Sequence, residues 1–272
     1  IVLLFILIKL NNLRSRKEFS LIKTSDTKTA IITGAGSGIG KHASIYLANH
    51  GIKTFLIDSD SAKGRSTSDY IMRNGGESFF ENADVSNPDQ MKKAVAKCVD
   101  VYGKLDIGVN SAGIAGGRAL THSYSLNNWN KLIQINLTGV FISMKYQIAE
   151  MLANGSGSIV NISSIAGIVG LPNASAYVAA KHAVVGITKT AALEYAKSGI
   201  SINAISPGWT RTDLIKHMID DESKEKSISS RHPTDRLVEP EEIAQTILWL
   251  CTKAPRSMTG TVIPVDGGFT AK

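Results

Sequence analysis

The sequence predicts an α/β fold in which a parallel sheet of about seven strands is covered by helices on both faces. Three observations support this prediction. Apolar, β-branched runs alternate with helical periods, the connections between them are short, and glycine or proline marks most boundaries. This alternation places a helix in each crossover between parallel strands, and right-handed crossovers wind the sheet in both directions. We therefore expect a single domain with a doubly wound sheet.

The individual elements follow from the local patterns. Strands are predicted at 30–33, 52–57, 77–83, 105–109, 158–163, 200–205 and 261–265, of which the third is the weakest. Helices are predicted at 41–49, 62–74, 88–102, 126–153, 174–197 and 240–252. Pro88 and Pro240 stand in first turns, and Gly51 and Gly103 follow helix ends. The polar stretch 207–238 shows neither pattern and is predicted to be a long functional loop over the substrate.

Composition and charge exclude several classes of protein. With 272 residues, 43% hydrophobic and 19% charged, the chain has the composition of one globular domain with a large core. Cys98 and Cys251 have no metal-ligand spacing, so we expect buried thiols, a reducing cytoplasmic setting and no metal site. The net charge of +7 includes six basic and two acidic residues within 1–28. The body carries no basic stripe, and nucleic-acid binding is not expected.

The first 28 residues form an apolar and basic extension of unknown role, ahead of a domain predicted at 29–272. Residues 1–8 are all apolar, but a bilayer-spanning helix needs about 20 such residues. Three interpretations stay open: the end of a signal anchor, a peripheral membrane contact through residues 1–10, or a segment that packs on the domain.

A glycine-rich turn connects the first strand to the first helix. Residues 33–40 read Thr-Gly-Ala-Gly-Ser-Gly-Ile-Gly. Gly34, Gly38 and Gly40 let the backbone turn tightly and approach a pyrophosphate, whose charge is stabilised at a helix N-terminus. In an alternating α/β chain, this position of the motif predicts a Rossmann-like dinucleotide site.

Asp58 ends the second strand, eighteen residues after Gly40. A carboxylate there binds the ribose hydroxyls of the adenosine and repels a 2′-phosphate. No basic residue directly follows Asp58, and Ser37 leaves the glycine turn without a positive charge. NAD is therefore favoured, while Lys41, Lys63 and Arg65 keep NADP as the less favoured alternative.

Tyr177 and Lys181 stand four residues apart in a predicted helix and therefore share one of its faces. The tyrosine pKa is ordinarily about 10, and a neighbouring ammonium favours the phenolate. Such a phenol can exchange a proton with an alcohol or carbonyl oxygen. The pair alone is common by chance, and its meaning depends on the rest of the chain.

With these motifs in order, the chain resembles the short-chain dehydrogenase/reductase family over about residues 28–270. The matching features also include the run 110–113 (Asn-Ser-Ala-Gly), Asn136, and Ser164 thirteen residues before Tyr177. The remaining matches are Asp84-Val85, Pro207-Gly208 with Thr212, and Val265-Asp266-Gly267-Gly268. The chain departs from the family at Ser111, where a second asparagine is commoner, and at Gly108, where a bulky residue is usual and for which the sequence offers no role.

The resemblance implies a role for each matched residue. Tyr177 would be the general acid/base, Lys181 would lower its pKa and hold the nicotinamide ribose, and Ser164 would bind the substrate oxygen. Asn136 would hold a water in a proton relay. The implied cofactor contacts are Gly34, Ser37, Gly38, Ile39, Gly40, Asp58, Asp84, Val85, Asn110, Ala112, Gly113, Tyr177, Lys181, Pro207, Gly208, Thr210 and Thr212.

The expected function is NAD-dependent interconversion of a secondary alcohol and its ketone. Segments 113–117 and 166–174, together with Trp209, would line a small, mainly apolar pocket suited to a neutral substrate, with cyclic alcohols and diols among the candidates. His217 and His232 lie in the long loop and are candidate substrate contacts. The alternatives are an NADPH-dependent 3-oxoacyl thioester reductase and a non-catalytic dinucleotide sensor. The resemblance also implies a homotetramer or homodimer that uses the helices at 126–153 and 174–197.

Overall fold

The computed structural model describes residues 27–271, so most of the predicted extension, including the membrane contact through residues 1–10, lies outside the described part. One seven-stranded parallel sheet runs in the order β3-β2-β1-β4-β5-β6-β7, which confirms the predicted fold class. The strands are β1 Thr29–Thr33, β2 Lys53–Asp58, β3 Ser78–Asn82, β4 Ile107–Asn110, β5 Gly157–Ile162, β6 Ile200–Pro207 and β7 Val262–Val265.

Eight α-helices connect or flank the strands within the described residues. They are α1 Gly38–Asn49, α2 Ser61–Arg73, α3 Pro88–Tyr102, α4 Leu126–Ile133, α5 Gly139–Asn154, α6 Ser175–Tyr195, α7 Glu222–Ser229 and α8 Pro240–Thr252. Local capping sets several boundaries. The Asn87 side chain accepts hydrogen bonds from two first-turn N–H groups of α3, and Gly103 ends that helix in the left-handed conformation.

The core lies on both faces of the sheet because adjacent residues of a strand point in opposite directions. On β1, Ile31 packs in a cluster with residues of α3, α5 and α6, whereas Ile32 packs in a second cluster with residues of α1 and α8. Both isoleucines are fully buried. Each such side chain contributes about 1.5–3 kcal/mol relative to exposure. The sheet is therefore held rigid from both sides, and its strand ends provide fixed positions for side chains.

The predicted helix at 126–153 is helical throughout, but its α-helical register is interrupted. It is divided into α4 and α5 by a π-helical turn at Gln134–Thr138, and Asn136 lies in that turn. A π turn inserts one residue into the helical register and is frequent at functional sites. Both polar atoms of the Asn136 amide bond to the backbone of Ile114, so a tertiary contact stabilises the local irregularity.

The predicted loop 207–238 is also partly wrong, because it contains ordered helix. A 3₁₀ segment spans Asp213–Met218, and α7 begins after Asp221, whose carboxylate caps it through the Lys224 N–H. The Arg211 guanidinium contacts the Glu225 carboxylate on α7 with two hydrogen bonds and therefore anchors this segment. A capped short helix needs no apolar periodicity, which explains why the pattern did not reveal it.

Both cysteines are free and buried, as the sequence predicts. Burial raises the pKa of each thiol to about 12, so both stay protonated near neutral pH. Within residues 27–271, no helix is long and apolar enough to cross a membrane.

Candidate active site

A cavity of about 610 Å³ opens at the carboxyl ends of the strands. β1 pairs with β2 on one side and with β4 on the other, so the connections that leave β1 and β4 go to opposite faces of the sheet. Ligands of open α/β sheets bind at such a switch point. The cavity receives side chains from the turns after β1 to β6 and from α6.

Two glycines of the turn after β1, Gly34 and Gly40, have no room for a side chain. Gly34 has φ +67°, and a Cβ there would lie 2.8 Å from the Cα of Ala112 on the neighbouring turn. A Cβ on Gly40 would collide with the Gly34 carbonyl oxygen. Gly34 lines the cavity, whereas Gly40 does not, so Gly40 serves the close packing of α1 against the turn.

The N-terminus of α1 fits a pyrophosphate. Ser37 occupies the N-cap position without a side-chain capping bond, and the first turn contains no acidic residue. The N–H groups of the first turn can therefore donate hydrogen bonds to an anion, and the positive end of the helix dipole stabilises its charge.

Asp58 is held against the same turn. One carboxylate oxygen accepts the Gly36 N–H at 2.8 Å, and the other accepts the Asp60 N–H at 2.8 Å. Asp58 also lines the cavity. A carboxylate fixed at this position retains lone pairs for the hydroxyls of a ribose. The glycine turn, the α1 terminus and Asp58 together fit an adenine dinucleotide.

Lys181 is buried, with only 5% of its surface exposed. Its Nζ donates a 2.8 Å hydrogen bond to the Ile162 carbonyl oxygen at the end of β5 and lies 5.7 Å from the centroid of the Tyr177 ring. The Ser163 hydroxyl donates to the Lys181 carbonyl oxygen at 3.0 Å, which fixes α6 on β5. Burial lowers the pKa of Lys181 to about 8.

Tyr177 and Ser164 line the same cavity. Burial raises the pKa of Tyr177, and this effect exceeds the opposing influences of the Ser164 hydroxyl and the Arg118 charge, which lower it. The net direction is opposite to the lowering expected from the sequence. Without a bound cofactor, the phenol is therefore protonated at neutral pH and can donate its proton to a carbonyl oxygen. Oxidation of an alcohol needs the phenolate, which a higher pH or an added positive charge would favour.

Asn136 does not line the cavity. Its Oδ1 accepts the Ile114 N–H at 2.8 Å, and its Nδ2 donates to the Ile114 carbonyl oxygen at 2.8 Å. These two bonds clamp the turn that follows β4. One amide N–H and one oxygen lone pair remain, so the predicted water relay stays a prediction.

Asn110 is buried beneath the cavity rather than at its surface. Its amide bonds to Gln147 on α5 and to Asn161 on β5, and Asn161 in turn donates to Thr188 on α6 at 2.9 Å. A chain of buried amides therefore ties β4 and β5 to the helix that carries Tyr177 and Lys181. A Cβ on Gly108 would lie 2.5 Å from the Gln147 Oε1, so this glycine makes room for the amide.

The two loop histidines differ in position. His217 lines the cavity, as expected for a candidate substrate contact. His232 does not line the cavity and is buried, with 2% of its surface exposed. Its Nε2 accepts a hydrogen bond from the backbone N–H of Trp209 at 3.1 Å. Burial lowers the pKa of His232, so the ring is neutral and fixes the backbone before α7 rather than contacting substrate.

Most of the residues that the sequence assigns to the site share this cavity. Leu171, Ala174 and Trp209 line it within the segments predicted for the substrate pocket, and Leu214 and Met218 line it from the predicted substrate loop. Arg118 also lines the cavity, although no sequence motif predicts it. The predicted residues that line the cavity are Gly34, Ser37, Gly38, Ile39, Asp58, Asp84, Val85, Ala112, Gly113, Ser164, Tyr177, Lys181, Pro207, Gly208, Thr210 and Thr212. No cluster of three or more His, Cys, Asp or Glu side chains suited to a metal ion occurs between residues 27 and 271.

This arrangement defines a dinucleotide-dependent oxidoreductase, and comparison with known proteins agrees. Residues 34–270 match the family described as Enoyl-(Acyl carrier protein) reductase. Cyclohexanol dehydrogenase from Acinetobacter sp. (strain SE19) is 42% identical, with 91% of this chain and 96% of that protein covered. Cis-4-hydroxycyclohexanecarboxylate dehydrogenase from Sinomonas cyclohexanicum is 37% identical, with 90% and 97% covered.

Among solved structures, levodione reductase superimposes with a TM-score of 0.86 at 34% identity and covers 90% of this chain and 98% of its own. Actinorhodin polyketide ketoreductase with NADPH gives a TM-score of 0.87 at 34% identity, with 92% and 99% covered. The chain belongs to the short-chain dehydrogenase/reductase family. As predicted, it is an oxidoreductase that acts on CH–OH groups and uses a nicotinamide dinucleotide.

Proposed function

We propose that the protein interconverts a ring-bearing secondary alcohol and its ketone with NAD as cofactor and Tyr177 as the general acid/base. One observation carries this proposal. Ser164, Tyr177 and Lys181 line the same cavity as Asp58 and the glycine turn, which lie at its other end. The three side chains are therefore placed for proton transfer beside a bound dinucleotide.

Hydride transfer is the chemistry that a bound nicotinamide dinucleotide supplies. The residues of the chain handle the proton. In the reductive direction, the Tyr177 hydroxyl donates its proton to the carbonyl oxygen, and Ser164 holds that oxygen through a hydrogen bond that strengthens as negative charge develops. In the oxidative direction, the Tyr177 phenolate accepts the alcohol proton. Lys181, held by the Ile162 carbonyl, supplies positive charge close to the phenol ring.

The choice of NAD over NADP rests on the charge at the end of β2. Asp58 is fixed by the Gly36 and Asp60 N–H groups, so its carboxylate cannot easily turn away from the ribose. The neighbouring Lys63 lies 3.8 Å from the Asp60 carboxylate, which offsets its charge. A 2′-phosphate would meet an unshielded negative charge, and we expect NAD to be preferred.

Support for a ring substrate comes from the cavity and from the relatives. The substrate end is lined by apolar residues such as Ile165, Leu171, Ala174, Ile215 and Met218. Relatives that are 34–42% identical are described as dehydrogenases of cyclohexanol, of a cyclohexadiene diol and of a hydroxycyclohexanecarboxylate, and as levodione reductase. The first three of these names describe a hydroxyl group on a six-membered carbon ring.

The test is an initial-rate assay with NAD⁺ and NADP⁺ over a panel of cyclohexanols, cyclic diols and hydroxysteroids. We expect reduction of NAD⁺ with at least one ring alcohol and a higher kcat/KM for NAD⁺ than for NADP⁺. Asp58→Asn should reduce that cofactor preference by about tenfold or more, since it removes the repelling charge. Asp69→Asn is the matched control, because it removes one exposed charge from α2 at a position that does not line the cavity. An equal effect of both variants would contradict the assignment of Asp58.

Two alternatives remain distinguishable in the same assay. A 3-oxoacyl thioester reductase would favour NADPH and be inactive on ring alcohols, and the polyketide ketoreductase neighbour gives this alternative its support. A non-catalytic sensor would bind dinucleotide without turnover, yet Ser164, Tyr177 and Lys181 are all present and share the cavity.

We also propose that the protein is a homo-oligomer in the cytoplasm. The long helices α5 and α6 carry exposed apolar side chains, among them Phe141, Leu152 and Leu193, whose burial against a second copy would remove them from water. The free, buried thiols of Cys98 and Cys251 suit a reducing compartment.

A further inference from the structure

The charges in the cavity are separated by sign. Asp58 and Asp84 lie at the adenosine end, at and beyond the carboxyl ends of β2 and β3. The opposite end contains Arg118, Lys181 and His217 and no acidic side chain among the lining residues. Lys181 is committed to the Ile162 carbonyl oxygen. Arg118 is therefore the permanent cation that faces the substrate end without an assigned role.

The backbone holds Arg118 in place from both sides. The turn that precedes it is clamped at Ile114 by the Asn136 amide. The residue that follows it, Ala119, donates its N–H to the Asn173 carbonyl oxygen at 3.1 Å and forms a parallel bridge with Ala174, three residues before Tyr177. Arg118 is thus tied directly to the segment that leads into α6.

The side chain of Arg118 is placed by an aromatic ring rather than by an acid. Its guanidinium carbon lies 5.7 Å from the centroid of the Trp209 ring, within the range of a cation–π contact. No carboxylate pairs with Arg118 in the described part of the chain, whereas Arg211 is bound by Glu225 and Glu239. The Arg118 charge is felt at the reacting group, because it counts among the influences that lower the pKa of Tyr177.

Apart from Ser164, Tyr177, Lys181 and His217, the substrate end of the cavity is mainly apolar. Leu171, Ala174, Leu214 and Met218 line the same end and offer no anion. A planar guanidinium matches a carboxylate with two parallel hydrogen bonds, and such a pair is stronger than a neutral hydrogen bond. An apolar ring with a single anionic substituent would fill the apolar part and pair with Arg118.

We propose that Arg118 is the specificity-determining residue for an anionic group, a carboxylate carried on the ring of the alcohol. This inference rests on the proposed ring-alcohol dehydrogenase activity and narrows its substrate class. The hydroxyl is held at Ser164 and Tyr177, and the carboxylate lies at Arg118, so the substrate spans the apolar end of the cavity between two polar anchors.

The test compares 4-hydroxycyclohexanecarboxylate with its methyl ester, which has nearly the same shape and no charge. The unmodified protein should show a kcat/KM for the acid at least tenfold above that for the ester. Arg118→Met, which keeps the length of the stem, should bring the ratio close to one, mainly by raising KM for the acid. Arg118→Lys should retain an intermediate ratio because it keeps charge and loses the planar pair of donors.

Arg231→Met is the matched control. The Arg231 guanidinium carbon lies 5.6 Å from the same Trp209 ring, but the residue does not line the cavity. Its loss should leave the acid-to-ester ratio unchanged. Competitive inhibition by cyclohexanecarboxylate, with the corresponding carboxamide as neutral comparison, gives a binding readout. The inhibition constant of the acid alone should rise in Arg118→Met.

The outcomes separate the two proposals. If cyclohexanol is oxidised but the acid has no advantage over the ester, or the advantage survives Arg118→Met, the assignment of Arg118 is overturned and the dehydrogenase activity stands. If no ring alcohol, charged or neutral, is oxidised with NAD⁺ or NADP⁺, the proposed function itself fails and the Arg118 assignment falls with it.

Discussion

Gly108 and Gln147 occupy complementary space in the core beneath the active site. A Cβ on Gly108 would lie 2.5 Å from the Oε1 of Gln147. The Gln147 Nε2 donates to the Asn110 Oδ1 at 3.0 Å, and the Asn110 Nδ2 donates back to the Gln147 Oε1 at 3.2 Å. The glycine in β4 is therefore not a packing defect. It admits a buried amide pair that holds the end of this strand in register with α5.

Gly108→Ala should consequently destabilise the fold. The added methyl displaces the Gln147 amide and leaves buried donors and acceptors without partners, which costs about 1–3 kcal/mol. The same substitution at Gly186, an α6 position where a Cβ would meet nothing within 4 Å, should stabilise by up to about 1 kcal/mol. Urea unfolding of both variants provides the measurement. A loss of stability at Gly186 equal to that at Gly108 would contradict this explanation.

A double-mutant cycle isolates the contact. In a Gln147→Ala background, the amide that obstructs the methyl group is gone, so Gly108→Ala should cost less than it does in the unmodified protein. The coupling free energy between the two positions should be about 0.5–3 kcal/mol. Additive effects would show that Gly108 acts through something other than Gln147.

The sequence could predict the strands and most helix boundaries because their signals are local. Buried parallel strands read as continuous apolar runs, and α3 begins and ends at the residues that its proline and glycine indicate. The order of motifs was sufficient to place Ser164, Tyr177 and Lys181 on one wall. Strands, helix ends and motif spacings depend on residues that are close together in the sequence, so a local sequence pattern is sufficient to predict them.

The features that the sequence did not reveal depend on distant partners. The role of Gly108 is visible only against Gln147, 39 residues further along the chain. The π turn at Asn136 has no breaker residue and is selected by its bonds to Ile114. The direction of the Tyr177 pKa shift depends on burial by residues from several elements, and the spacing between Tyr177 and Lys181 contains no information on that burial.

Tyr177→Phe should lower kcat by about 10²–10⁴-fold, the range that general acid–base catalysis contributes. The ring remains, so the dissociation constant for NADH, measured by fluorescence titration, should change by less than threefold. Tyr124→Phe is the matched control, because the Tyr124 hydroxyl is buried near the site and has no hydrogen-bond partner in the described residues. Retention of most activity in Tyr177→Phe would overturn the proposed proton transfer.

Lys181 should make stability depend on pH in a defined direction. Burial lowers its pKa from 10.5 to about 8, so between these values the folded state binds fewer protons than the unfolded state. Stability from this group therefore rises with pH through that window, by up to about 3 kcal/mol. The cost of burying the charged form is fully present below pH 8.

The measurement is the free energy of unfolding of the unmodified protein and of Lys181→Met at pH 7.5, 8.5 and 9.5. The free energy of unfolding of the unmodified protein should increase relative to that of Lys181→Met as the pH rises. Titrating groups that both proteins share, such as Cys98 and Cys251, contribute nearly equally to both free energies, so their contributions largely cancel in the difference. Parallel pH profiles would show that the buried amine does not titrate in this range.

The proposed oligomer makes a prediction about exposed apolar residues. Phe141 on α5 is 52% exposed, and Leu193 on α6 is 84% exposed. A charge placed at either position should prevent close packing of a second copy, since an unpaired charge is costly to bury. Phe141→Asp and Leu193→Asp should each shift the mass measured by light scattering towards the monomer. Met72→Asp is the control, because Met72 is 49% exposed but lies on α2, outside the helices predicted to form the interface. Dissociation by Met72→Asp alone would contradict the proposed interface, and a monomeric unmodified protein would refute the oligomer.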